Sequence, residues 1–336
     1  MPSKSAVIFG LEGLELNEVE QGFFKETNPF GYILFARNIN NPDQLRSLTD
    51  SIRAISGDAS TPILIDQEGG RVQRLRAPHW REAPAAKLFG DLWHKSPDDA
   101  KLAVELNTTL ISAELNNVGI DVDCAPLLDV PIPEVNEIIG DRAFSSDIDI
   151  TIELARIQAD TFLKNDIMPI IKHIPGHGRA TSDSHLELPI VSASEEILEN
   201  SDFAAFKALS NYPMAMTAHI VYEAFDATLP ATSSPTIIEK IIRQKIGFEG
   251  LLITDDLSMK ALSGPFDMRA KDCLAAGCDI LLHCNGDMGE MKSIAKGMRA
   301  MSDISNRRWA TARSKRGAAI PIDVGSTLDK LNQLLA

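Results

Sequence analysis

Apolar residues fall into eight short runs, at residues 6–9, 32–35, 63–65, 120–125, 167–171, 214–216, 251–253 and 280–282, the fourth interrupted by Asp121 and Asp123. Runs of strand length without polar alternation predict strands buried on both faces, the pattern of a parallel sheet covered by helices. Between them apolar positions recur at helical spacing. Ser96-Pro97 opens one such stretch, with Ala103, Leu106, Leu110 and Ala113 on one face and Gly119 beyond its end. Ser234-Pro235 opens another, with Ile237, Ile238, Ile241 and Ile242 and a stop at Gly247. Each has an N-cap hydroxyl, proline at the first helical position and glycine after the last turn. Eight βα units without a linker predict an α/β protein, a (β/α)8 TIM-type barrel forming a single domain over residues 1–336. The competing architecture is a doubly wound open sheet. No G-x-G-x-x-G follows the first run and no P-loop occurs, which counts against a nucleotide-binding sheet.

Residues 302–336 read as a C-terminal helical extension. Arg307, Arg308 and the basic residues at 313–316 predict a solvated face, and Leu328, Leu331, Leu334 and Leu335 a terminal helix packed on the barrel.

The net charge of −14 argues against a nucleic-acid or anionic-membrane partner and for a small-molecule substrate. The apolar run at residues 6–9 is too short for a signal h-region, and no stretch approaches the ~18 apolar residues of a membrane span, so the expected location is cytoplasmic. Cys124, Cys273, Cys278 and Cys284 lie in or beside apolar segments without C-x-x-C spacing and read as buried thiols.

In a parallel barrel the residues just beyond each strand converge on one face. Here they are Asp66, Glu68, Arg71 and Arg74; Asp129 and Arg142; Lys172 and His173; Thr217 and His219; Asp255 and Asp256; His283 and Asn285. Cations and carboxylates aimed at one cavity suit a polyhydroxylated substrate. Each has a plainer reading: Arg71 and Arg74 as surface partners of Glu68, Asp256 as a helix N-cap, His219 and His283 as satisfied core histidines. Asp255 and Asp256 point to opposite faces of a strand, so one enters the cavity, and spacing alone does not say which.

The loop from Lys172 to Pro189 concentrates titratable groups. His173-x-x-x-His177 has the spacing of paired metal ligands, but Pro175 and Gly176 prevent the helix that would align them, so no metal site is expected. Asp183-Ser184-His185 fits acid/base work: a carboxylate two residues from an imidazole can fix its tautomer and raise its basicity. With one inward aspartate on another strand, this supplies the two groups of a retaining glycosidase. His177 is assigned to shaping the loop.

Taken together, residues 172–178 with Asp183-Ser184-His185 and Leu188-Pro189, residues 65–72, Gly140-Asp141-Arg142-Ala143-Phe144, and Thr254-Asp255-Asp256-Leu257-Ser258-Met259 strongly resemble the β-N-acetylhexosaminidases of glycoside hydrolase family 3. The likeness runs in order from about residue 5 to about residue 300 and is nearest to the single-domain cytoplasmic members of bacterial peptidoglycan recycling. It implies Asp255 as nucleophile, His185 as general acid/base assisted by Asp183 on a mobile loop, and Asp66, Arg74, Arg142, Lys172 and His173 as sugar-binding residues. It also implies a (β/α)8 barrel without metal or organic cofactor. The implied substrate is terminal β-linked N-acetylglucosamine on 1,6-anhydro-N-acetylmuramic acid, with or without a stem peptide. Ile174, where phenylalanine is frequent, and Cys124 depart from the family pattern, and the second α/β domain of many members is not seen. A phosphorylase using the same residues, substrate-assisted hydrolysis, and a non-catalytic sugar-binding protein are the competing readings.

Overall fold

The computed structural model describes residues 3–132, 139–180 and 187–336. Its strands, in chain order, are β1 (Ser5–Gly10), β2 (Pro29–Leu34), β3 (Ile63–Ile65), β4 (Val122–Asp123), β5 (Met168–Ile174), β6 (Ile190–Val191), β7 (Met214–Thr217), β8 (Val221–Tyr222), β9 (Leu251–Asp256) and β10 (Ile280–His283). All but β6 and β8 close into a parallel barrel in the order β1-β2-β3-β4-β5-β7-β9-β10 and back to β1. The eight barrel strands are the eight apolar runs. β6 and β8 form a separate parallel pair outside it.

Helix starts follow the sequence signals. Ser96 accepts a hydrogen bond from Asp99 N at the head of Pro97–Asn117. Asn17 and Glu20 form a reciprocal capping box on Glu18–Thr27, which satisfies two otherwise orphaned amides. Ser234 Oγ accepts from Ile237 N as expected, but Ile237–Lys245 is π-wound, with Ile246 N reaching back to Ile241 O at 2.8 Å. That wider turn buries Ile237, Ile238, Ile241 and Ile242 together.

Strand alternation divides the core into layers. Asp66, Lys172, Met216, Asp255 and Leu282 line a cavity at the carboxyl ends of the strands. The residues two positions earlier, Leu64, Ile170, Met214, Ile253 and Ile280, are buried together beneath them. Ile171, Ala215 and Leu252, which alternate with these inner residues, pack outward against the helices.

Three expectations are corrected. The run at residues 120–125 shortens to β4 as its regular part, with single backbone bonds from Asp121 N to Ile63 O and from Cys124 N to Ile65 O on either side of it. β5 runs on past the apolar stretch to Ile174, so Lys172 and His173 stand on the strand and not in the loop after it. The basic tail is solvated only in part: Arg307, Arg313 and Lys315 are exposed, but Arg308 pairs with Asp279, and Arg316 with Asp121 and Asp166, which ties the helix Asp303–Ser314 and the turn at its end to the barrel's underside. The last helix, Val324–Leu335, packs on Pro97–Asn117 through buried Leu331. No helix among the described residues is long and apolar enough to cross a membrane.

Candidate active site

The cavity at the strands' carboxyl end has a volume of about 290 Å³ and is lined by Asp66, Arg71, Arg74, Arg142, Lys172, His173, His177 and Asp255 among others. The turn after β3 builds one wall. Gly69 and Gly70 have φ of 99° and 56°, and a Cβ on Gly69 would stand 2.2 Å from Pro84 O, so only glycine fits. Buried Gln67 then holds the returning chain, its side-chain oxygen accepting from Arg74 N at 2.8 Å and Leu75 N at 3.0 Å. Arg71 and Arg74 are thereby brought over the cavity.

Behind the wall lies a charge network. Lys172 Nζ is 2.9 Å from Asp66 and 2.6 Å from Glu68. Arg142 donates to both Glu68 oxygens, each at 2.8 Å, and Arg74 lies 3.1 Å from Asp66. Burial alone would raise both carboxyls, but Lys172 and Arg74 outweigh it at Asp66, and Arg142 and Lys172 at Glu68, so both are held below the usual carboxylate range. Arg71 and Arg74 do not pair with Glu68: Arg71 meets Asp141 at the mouth, and Arg74 meets Asp66.

Fully buried Asp129 organises the next wall. It accepts from the backbone amides of His173 at 3.2 Å and His177 at 2.7 Å, and bonds His173 Nδ1 at 2.7 Å. His173's charge overcomes burial and lowers Asp129 to about 2. Two histidines thus share one carboxylate. The bond from His173 Nδ1 to Asp129 fixes the orientation of the His173 ring. His177, expected only to shape the loop, also lines the cavity, and burial followed by the neighbouring His173 charge lowers it to about 4.

Strand parity settles the acidic pair. Asp255 shares the inner face of β9 with Ile253 and lines the cavity. Its Oδ1 accepts from Asp256 N at 2.7 Å. Burial would raise its carboxyl, yet His173 and His219 hold it below its ordinary value, an ionised state suited to nucleophilic attack. Asp256 points the other way. It caps no helix: Oδ1 accepts from Ser258 N and Cys284 N at 3.0 and 3.1 Å, fastening the ends of β9 and β10 together.

His219 is a satisfied core histidine, its Nε2 donating to Asp256 O at 2.9 Å and its Nδ1 bonded to the Thr232 hydroxyl at 2.7 Å. His283 lies outside the barrel wall between Phe9 and Phe266, with Nε2 on Glu290. Asn285 joins the same Glu290. The structure therefore brings together Asp66, Arg74, Arg142, Lys172, His173 and Asp255. Asp183 and His185 lie outside the described residues. Glu68 and Asp129 were legible as strand-end acids, but their part in holding Arg142, Lys172 and His173 depends on contacts across 44 to 104 residues of sequence.

The glycosyl hydrolase family 3 N-terminal domain profile matches residues 7–312. A β-hexosaminidase of Alkalilimnicola ehrlichii is 39% identical over 285 residues, covering 83% of this chain and 80% of its own. One of Thioalkalivibrio sulfidiphilus is 34% identical over 326 residues, covering 94% and 90%. The crystal structure of NagZ from Neisseria gonorrhoeae in complex with N-trifluoroacetyl-D-glucosamine superposes with a TM-score of 0.88 at 29% identity, covering 99% of each chain. The closed barrel and the identity spread along nearly its whole length place the chain in glycosyl hydrolase family 3, as a glycoside hydrolase.

Proposed function

We propose that this glycoside hydrolase is a retaining exo-β-N-acetylglucosaminidase. It removes terminal β-linked N-acetylglucosamine from 1,6-anhydro-N-acetylmuramic acid, with or without a stem peptide, in cytoplasmic peptidoglycan recycling. Residues 1–336 act as one catalytic domain with the tail as a helical extension. The observation that carries this reading is an inward carboxylate held below its ordinary range, Asp255, in a cavity of about 290 Å³ walled by fixed ionic donors and acceptors. That volume is at the lower end for small-ligand sites and suits one sugar ring. The sequence relatives described as β-hexosaminidases, and the N-acetylglucosamine analogue held by the Neisseria protein, support the same substrate class.

The reaction is a double displacement. Asp66, Arg74, Arg142, Lys172 and His173 hold the hydroxyls of the terminal sugar. Asp255 attacks the anomeric carbon through the oxygen not bound by Asp256 N, and a C–O bond forms as the glycosidic bond breaks. His185, kept basic by Asp183, gives its proton to the departing oxygen and then takes one from the water that releases the sugar with retained configuration. Each step uses side chains of this protein and water.

The test is trapping. A 2-acetamido-2-deoxy-5-fluoro glycosyl fluoride should label the Asp255 peptide, read by mass spectrometry. An unlabelled Asp255 in an enzyme that still releases N-acetylglucosamine would remove the nucleophile assignment. Release of a sugar phosphate in place of the free sugar when phosphate is added would favour the phosphorylase.

A further inference from the structure

The inner cations of the cavity are already matched. Lys172 contacts Asp66 and Glu68, Arg142 is held by Glu68 through two bonds, and Arg74 meets Asp66. Asp255 adds another carboxylate on the same floor. An anion placed here would compete with carboxylates buried beside the same cations, so this interior suits an uncharged sugar.

Arg71 differs. It lines the same cavity, but its side chain is 51% exposed and its partner Asp141, 3.1 Å away, is 45% exposed. Both groups keep much of their hydration, so the pair is weak and salt-screened, and an incoming anion exchanges for Asp141 at little cost. The guanidinium is nonetheless held over the mouth, because Nη2 also donates to Ile139 O at 3.2 Å. Val72 and Ile139 line the cavity beside it. A group leaving by the mouth therefore meets a planar donor flanked by an apolar wall, an arrangement that favours a carboxylate over a point charge. The chain's net charge of −14 repels anions at long range, which makes a cation at the entrance more consequential for an anionic substrate.

We propose that Arg71 reads a carboxylate on the aglycone of the substrate, with Asp141 as the resident counter-ion which that carboxylate displaces. This rests on the glycosidase reading above and extends it. The sugar side of the cleaved bond is neutral, the departing side is anionic, and Arg71 determines specificity without taking part in the chemistry.

The experiment compares two aryl β-N-acetylglucosaminides that differ only in a meta carboxylate or carboxamide on the aglycone. The quantity read is the ratio of their kcat/KM values, which cancels effects common to both. Relative to the native enzyme, Arg71→Gln should lower the carboxylate-to-carboxamide ratio by about tenfold, chiefly through KM, a change equal to about 1.4 kcal/mol. Arg71→Lys should retain part of the preference. Asp141→Asn should raise the ratio above the native value, which provides a reading should Arg71→Gln fail to fold. Raising salt from about 50 mM to about 500 mM should compress the native ratio. A ratio unmoved by Arg71→Gln, or by Asp141→Asn, overturns the proposal while leaving the glycosidase reading intact. Failure of the native enzyme to cleave either glycoside removes that reading and this proposal with it.

Discussion

Glu68 grips Arg142 with two parallel hydrogen bonds, Oε2 to Nε and Oε1 to Nη2, both 2.8 Å, and its Oε1 also meets Lys172 Nζ at 2.6 Å. One buried carboxylate therefore sets the positions of two cavity cations that come from distant parts of the chain.

Glu68→Gln should weaken substrate binding more than it slows bound substrate. An amide can accept from only one of the two cations and brings an N–H group against the other, and breaking a buried ion pair of this kind costs about 3–5 kcal/mol. Steady-state kinetics should show KM raised by more than kcat falls, alongside a lowered urea midpoint. An unchanged KM would mean that Arg142 and Lys172 hold their places without Glu68.

The two acids of β9 should separate cleanly. Asp255→Ala should lower kcat by about 10⁴-fold or more, as loss of a covalent nucleophile does, while the fold remains. Asp256→Ala should chiefly destabilise, by about 1–3 kcal/mol, since it leaves the amides of Ser258 and Cys284 without their acceptor. Thermal unfolding and turnover measured on both variants check this; the reverse pattern would exchange the two roles.

Asp123 carries a pH dependence that works against stability. Its carboxyl is fully buried, with Oδ1 accepting Gln67 N at 3.0 Å, and burial pushes it up to about 8. The unfolded chain loses this proton near pH 3.8 and the folded chain keeps it. Folding stability therefore falls as pH rises between those values, and the penalty is fully developed above about 8. Asp123→Asn, which mimics the protonated acid, should stabilise the protein by on the order of 4 kcal/mol at pH 7.5 and hardly at all at pH 4. Urea unfolding at the two pH values measures it. An equal effect at both would show that Asp123 is not held protonated.

Gly90→Ala should destabilise the protein although alanine is the better helix former by about 1 kcal/mol. Gly90 lies inside Ala86–Trp93, and an added Cβ would stand 1.8 Å from Phe144 O. Overpacking of this kind costs about 1–3 kcal/mol. A fall in Tm of several degrees is expected, and a rise would mean that the helix can shift away from Phe144.

The barrel was legible because its information is local. Continuous apolar runs of strand length suit a sheet covered on both faces, and Ser96-Pro97 and Ser234 mark helix starts by hydrogen bonds within a few residues. The candidate site was legible in outline for the same reason, since strand ends in a parallel barrel must converge. Its partnerships were not. Glu68 was read with Arg71 and Arg74, its neighbours in sequence, whereas the fold gives it Arg142 and Lys172.

What the sequence determined by itself was the number and order of the barrel strands, the helix starts, and the set of charged groups at one end, each read from short local patterns. Only the tertiary structure decided that Asp255 faces the cavity and Asp256 the neighbouring strand, that His219 is consumed by Thr232 and Asp256, and that Asp129 gathers His173 and His177. Alternation along a strand states that neighbours diverge but carries no sign. The sign appears when the sheet closes and one face becomes the inside of the barrel. The same closure turns the stretch from Lys172 onward from a row of histidines into parts with different duties: Lys172 compensated by buried acids, and His173 and His177 hung from a single carboxylate.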